Sequence, residues 1–183
     1  ADPLRNAPQL LSDLRRVFPP AAGRHVFGPM VQLRWGTPTL LPLADILIGL
    51  GVNPATLLAE AGVDPKVFDD PENRLSVTVH NHLVALAVER TGCPHLGLLV
   101  GQRDSLQSLG LAGLLVRYSP DVETALRSFV RYLHTHVRGA KAALTVDGSV
   151  ATLNWEIYQP DVEAVDQVGD GALAVYCNVL REL

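Results

Sequence analysis

The sequence predicts an α+β fold, with a helix-rich N-terminal part packed on a small antiparallel sheet and a C-terminal helix closing it. Three observations lead there. Apolar residues recur at helical spacing through most of the stretch from Leu41 to Leu133, the period changes to two between Ala143 and Ile157 around Asp147-Gly148, and helical spacing returns from Ala172 onward. The 183 residues are 48% apolar and 19% charged, a balance that excludes a disordered chain. A chain this long buries about 70% of its unfolded surface and needs neither metal nor disulfide to fold.

The elements follow in order. Residues 1–36 read as an N-terminal extension and linker: a short amphipathic helix through Leu10, Leu11, Leu14, Val17 and Phe18, a Pro- and Gly-rich turn at 19–23, and an alternating segment at 31–35 that suits a strand. Residues 37–183 form the folded domain. Leu41, Ala44, Leu47 and Ile48 make an apolar stripe ending at Gly49-Leu50-Gly51. Asn53 is a natural N-cap with Pro54 at the first helical position, and Gly62 suits a left-handed C-terminal residue. Ser76 caps a longer helix to about Arg90, with Val79, Leu83, Leu86 and Ala87 inward and Thr91-Gly92 ending it; one or two further turns run from His95 to Gly101. Residues 106–116, apolar nearly all round, predict one central helix packed closely at Gly110 and Gly113. Ser119-Pro120-Asp121 opens the clearest helix, with Val122, Ala125, Leu126, Phe129, Val130 and Leu133 on one face and Glu123, Arg127 and Arg131 on the other. A hairpin then turns at Asp147-Gly148, a pair that favours type I′ geometry, and needs a further strand from 135–139 or 31–35. A polar loop at 159–166 precedes the final helix at 172–183, where Leu173, Tyr176, Cys177, Leu180 and Leu183 share a side.

Fifteen Lys and Arg stand against nineteen Asp and Glu, a net charge of −4 and the wrong sign for a phosphate-binding surface. No apolar run is long enough for a membrane helix, and no signal peptide opens the chain. The protein is therefore read as soluble and cytoplasmic, with no membrane partner and with Cys93 and Cys177 as free structural thiols. No GxSxG, GxGxxG, Walker or HExxH pattern occurs, so the chain reads as a non-enzyme with no catalytic residue and no cofactor. The candidate ligand-binding residues are the polar and aromatic groups beside the apolar interior: His80, His82, Arg117, Tyr118, Arg131, His134 and Trp155. Each also reads as an ordinary core or rim residue. Arg117-Tyr118, just before a helix, suits a ligand carboxylate or phosphate. The alternative is a metal- or haem-dependent sensor using His80, His134 or His136. Residues two apart on a helix diverge, which separates His80 from His82, whereas His134 and His136 share a face only if extended.

From about Leu43 onward the chain resembles the N-terminal effector domain, labelled arabinose-binding, of AraC-type bacterial transcription regulators. The ordered pattern is Leu57-Leu58, Gly62-Val63-Asp64, Phe68-Asp69-Asp70-Pro71, Arg74-Leu75-Ser76, Thr91-Gly92-Cys93-Pro94 with Leu96-Gly97-Leu98, Gly110-Leu-Ala-Gly113, Ser119-Pro120, Ala125-Leu126 with Tyr132-Leu133, and the strand pair. The resemblance implies a sensor whose small-molecule effector controls a pair of helix-turn-helix motifs, commonly in a homodimer. Those motifs are not found in these 183 residues, so DNA is expected as a partner only through a separate C-terminal domain. The helical first half does not read as a β-barrel, so the label is no evidence for arabinose. The final helix is the expected transmitter and a candidate dimer surface.

Overall fold

The computed structural model describes residues 34–36, 40–68, 73–158 and 161–183. The amphipathic stretch and turn expected within residues 1–29 lie outside them, as do 31–33 of the alternating segment.

Strand β1 (Arg34–Gly36) pairs antiparallel with β2 (Arg74–Ser76), Trp35 opposite Leu75. Between them run α1 (Leu41–Gly49), α2 (Pro54–Glu60) and a 3-10 turn at Pro65–Phe68. The Asn53 side chain accepts the Ala55 N–H at 2.9 Å with Pro54 behind it, so the start of α2 is set by two adjacent residues. Helix α3 (Val77–Thr91) starts where Ser76 Oγ accepts the Val79 N–H at 3.1 Å and stops at Gly92, whose φ of 62° is left-handed.

Helix α4 (Leu96–Arg103) follows, then a 3-10 turn (Leu106–Leu109) and α5 (Leu111–Arg117). The single central helix expected over 106–116 is thus broken. Gly110 sits at φ 58° and ψ −128°, a backbone that only glycine adopts readily, and the chain turns there. Leu111 and Leu114 are each 55% exposed, so α5 lies at the surface. Of the two glycines only Gly113 is packed: a Cβ there would stand 1.7 Å from the Leu106 carbonyl oxygen, whereas nothing lies within 4 Å at Gly110.

Helix α6 (Val122–His136) is capped by Asp121, whose carboxylate accepts the Thr124 N–H at 2.7 Å. It buries Ala125, Leu126, Phe129 and Leu133, while Val122 at its start is exposed. Strands β3 (Ala140–Asp147) and β4 (Val150–Ile157) form the predicted hairpin, but Asp147 pairs with Val150, so the tight loop is Gly148-Ser149, one residue further along. Within that loop φ is positive at Gly148 alone, which fits a turn with Gly at its first central position rather than type I′. Among the described residues no third strand joins this sheet: residues 34–36 pair with β2, and 135–136 stay in α6. The hairpin is supported instead by α6 against β3 and by the last helix against β4.

That last helix, α7, spans Val165–Glu182 and begins well before residue 172. Gly169-Asp170-Gly171 lies inside this helix, where Gly171 faces α4 at a close crossing. Of the apolar residues expected on one side of this helix Tyr176 is buried, while Leu173, Cys177, Leu180 and Leu183 are exposed.

Among the described residues the buried side chains form two clusters. One joins α1, α2, α3 and the start of α4 through Leu43, Leu47, Leu57, Leu83 and Leu96. The other joins the 106–109 turn, α5, α6 and α7 through Leu106, Val116, Phe129 and Val179.

Candidate functional site

A cavity of about 80 Å³ lies between the two clusters, lined from α1, α3, α4, α6, β4 and α7. Leu43, Val84, Leu96, Val100, Leu109, Phe129 and Leu133 make its walls mostly apolar. At about 10–15 Å³ per enclosed water, the volume has room for a small molecule of several heavy atoms. Five polar side chains face it besides the Trp155 indole: His80, Asp104, His136, Gln167 and Tyr176. Among the described residues no Lys or Arg lines it.

Each polar group has a defined state. Asn81 Nδ2 donates to the Glu163 carbonyl at 2.7 Å, so its Oδ1 accepts, and the His80 Nδ1 at 3.2 Å is the donor. Burial, opposed by that bond, drives the His80 imidazole down to about 4. His136 is driven down to about 4 as well, by burial first and then by the charges of Arg74 and His80; Arg74 Nη1 donates to the His136 carbonyl at 3.1 Å. Both rings are therefore neutral near pH 7. Asp104 moves the other way: burial pushes its carboxyl up to about 7 against a hydrogen bond from Ser108. Burial likewise raises the Tyr176 phenol, whose Oη has no hydrogen-bond partner although the residue is only 6% exposed. A buried hydroxyl without a partner costs free energy that a ligand hydrogen bond would recover. Gln167 is fully used in holding helices together: its Nε2 donates to the Pro94 carbonyl at 2.9 Å and its Oε1 accepts the Gly97 N–H at 3.1 Å.

Of the seven residues expected at a ligand site, the structure brings two, His80 and Trp155, to the cavity. His82 is partly exposed and pairs with Glu163 at 3.1 Å. Arg117 and Tyr118 lie at the surface end of α5, Tyr118 81% exposed. The neighbouring N-terminus of α6, where an anion would sit, already holds the Asp121 carboxylate, which binds both the Thr124 N–H and its hydroxyl. Arg131 is exposed and stacks over the Tyr132 ring at 5.5 Å, and the exposed His134 donates from Nδ1 to the Arg131 carbonyl at 2.9 Å.

Three cavity residues escape the sequence reading as ligand contacts: Asp104, His136 and Tyr176. His136 lies three residues beyond Leu133, continuing the apolar stripe, and the sequence offered it only as a metal or haem ligand. Asp104 carried no signal, since an acid just after a helix reads as solvated. The metal alternative finds no ligand set: His134 and His136 lie in α6, not in an extended segment, and among the described residues no three His, Cys, Asp or Glu side chains converge.

Comparison with known sequences bears on this arrangement. A family described as the arabinose-binding domain of AraC transcription regulator, N-term, matches residues 51–183. A second family, of unknown function, matches residues 1–86. The ornithine utilization regulator of Pseudomonas aeruginosa is 30% identical over 134 residues, which cover 73% of this chain and 37% of that protein. With a match that runs from α2 through the hairpin to α7, the chain belongs to the N-terminal arabinose-binding-type domains of AraC transcription regulators.

Proposed function

We propose that the domain is the sensing part of a cytoplasmic, non-catalytic transcription regulator, and that its effector is a small organic molecule held in the cavity between the two core clusters. The observation that carries this reading is a mostly apolar cavity lined by a few polar side chains, among them Tyr176, whose Oη has no partner. The contacts are His80, Asp104, His136, Trp155 and Tyr176. His82, Arg117, Tyr118, Arg131 and His134 stand outside the cavity and are not among them. The family match and the ornithine utilization regulator support control of DNA binding through a C-terminal domain.

Helix α7 is the coupling element. Gln167, Val168, Gly171, Ala172, Val175 and Tyr176 of this one helix face the cavity, while Leu173, Cys177 and Leu180 are exposed. A ligand that favours one packing of α7 would supply the ~1–3 kcal/mol of coupling typical of such regulators. The exposed stripe serves as the dimer surface, so Leu180→Glu should yield a monomer in sedimentation at concentrations where the parent chain is a dimer.

The direct test is a thermal-shift screen of small metabolites against the parent chain and Ala172→Leu, which fills the cavity. An effector at about 100 times its Kd adds ~2.7 kcal/mol of stability by mass action. True cavity ligands raise the midpoint of the parent and not of the variant. Ligands that stabilise both equally would place the site elsewhere.

A further inference from the structure

We propose that the effector carries a protonated amine, seated against the Asp104 carboxylate; this rests on the cavity being the effector site. Asp104 follows the last turn of α4, is 8% exposed and lines the cavity. Its position is fixed by Asn178 on α7, whose Nδ2 donates to the carbonyls of Gly101, Gln102 and Asp104 at 3.2, 3.2 and 2.8 Å. The backbone that carries the carboxyl is thus held in place by α7.

The surrounding charges leave it without a cation. Arg181 donates to the Asn178 Oδ1 at 3.2 Å, Glu182 accepts the Leu106 N–H at 3.4 Å, and Arg103 is exposed. Among the described residues the ion pairs are His82 with Glu163, Arg90 with Glu60, Arg127 with Glu123 and Lys141 with Glu156, none of them involving Asp104. A carboxylate removed from water without a partner is strongly unfavourable, and a cation from outside the chain relieves it. Elsewhere in the cavity the polarity is reversed, since Arg74 projects its charge onto His136. A cationic group entering the cavity is therefore directed to Asp104.

The cation is organic rather than metallic. A hard metal ion needs about six oxygen ligands, whereas no three His, Cys, Asp or Glu side chains converge among the described residues. An ammonium needs only the carboxylate and a few acceptors, and its carbon chain meets Val100, Leu109 and Val175. Tyr176, whose hydroxyl has no partner, lines the same cavity.

The test compares butan-1-amine with butan-1-ol, equal in length and differing in charge. Each is titrated into the 183-residue chain labelled at Trp indole nitrogen and Asp carboxyl carbon, with nuclear magnetic resonance reading Trp155 and Asp104. The expected result is that both ligands move Trp155, with the amine bound about ten-fold more tightly or better. Amine saturation should also move the Asp104 carboxyl signal to its ionised position. Asp104→Asn, which replaces a costly buried charge and keeps the fold, should remove the preference for the amine. Equal binding of the two ligands, or a preference that survives in Asp104→Asn, overturns the amine proposal and leaves the cavity as the effector site. No response of Trp155 to either ligand overturns both readings.

Discussion

Gly97 on α4 and Gln167 on α7 are in direct contact through backbone: a Cβ at Gly97 would stand 1.8 Å from the Gln167 carbonyl oxygen. The Gly97 N–H also donates to the Gln167 Oε1 at 3.1 Å, and one turn on a Cβ at Gly101 would lie 2.2 Å from the Gly171 carbonyl oxygen. Two glycines one turn apart thus let α4 and α7 cross at backbone distance. The same crossing forms part of the cavity wall, through Gly97, Gly101, Gln167 and Gly171. The helix proposed to report the ligand is consequently fixed against the helix that presents Asp104.

This close crossing makes Gly97→Ala strongly destabilising. The obstructing atoms are backbone, which cannot rotate away, so α7 must move and the Gln167 bond is lost with it. We expect a loss of about 2–4 kcal/mol in urea unfolding, equivalent to a midpoint drop of roughly 5–15 °C in a chain of this size. Gly49→Ala is the control: nothing lies within 4 Å of a Cβ there, and its effect should stay within about 0.5 kcal/mol of zero. Equal effects at both positions would show that α4 and α7 are not held by this contact.

Local devices were legible in the sequence because they act within a few residues. Asn53, Ser76 and Asp121 each cap the helix that immediately follows, and Gly92 ends α3 where the apolar period stops. The break at Gly110 was hidden because its flanks are apolar on every side, a pattern that continues smoothly through a kink. The start of α7 was hidden because it contains two glycines, of which only Gly171 serves the helix crossing. The cavity suffered most. His80 and Trp155 were visible as polar groups on apolar faces, but Asp104, His136 and Tyr176 come from α4's end, α6 and α7 and meet only after packing. Arg117-Tyr118 looked like an anion site because periodicity cannot show that Asp121 occupies the adjacent helix start.

Acid should unfold the domain through its two buried imidazoles. His80 and His136 titrate near 6.5 in the unfolded chain and near 4 in the folded one, so between these values the unfolded state binds more protons. Their contribution is complete above about pH 6.5 and is lost as pH falls toward 4, at most on the order of 3 kcal/mol per ring. The two are not additive, since His80 acts on His136 and Arg74 acts on it as well. His136→Gln should flatten the stability profile between pH 7 and 4, measured as the urea midpoint at each pH; an unchanged slope would mean that the ring is solvated.

Asp104 has the opposite sign. Its carboxyl titrates near 7 folded against an ordinary 3.8, so the folded state holds the extra proton and stability declines as pH rises through that interval. Ligand-free Asp104→Asn should therefore melt several degrees above the parent at pH 8 and match it at pH 4, by calorimetry. A variant that melts below the parent at pH 8 would show that the carboxylate already has a partner.

The Tyr176 hydroxyl separates stability from binding. Its ring packs edge-on against Phe129 with centroids 5.2 Å apart, and that contact survives in Tyr176→Phe. Since the Oη has no partner, its removal leaves no other group unpaired, and the substitution should be neutral or stabilising by about 1 kcal/mol. In the ligand-bound domain the same change deletes a hydrogen bond made in an apolar setting, so affinity for the effector should fall about three- to ten-fold. Calorimetric melting of the free domain and titration with effector give the two numbers separately. Destabilisation of the free variant by more than about 1 kcal/mol would reveal an intramolecular partner for Oη, whereas unchanged affinity would remove Tyr176 from the ligand contacts.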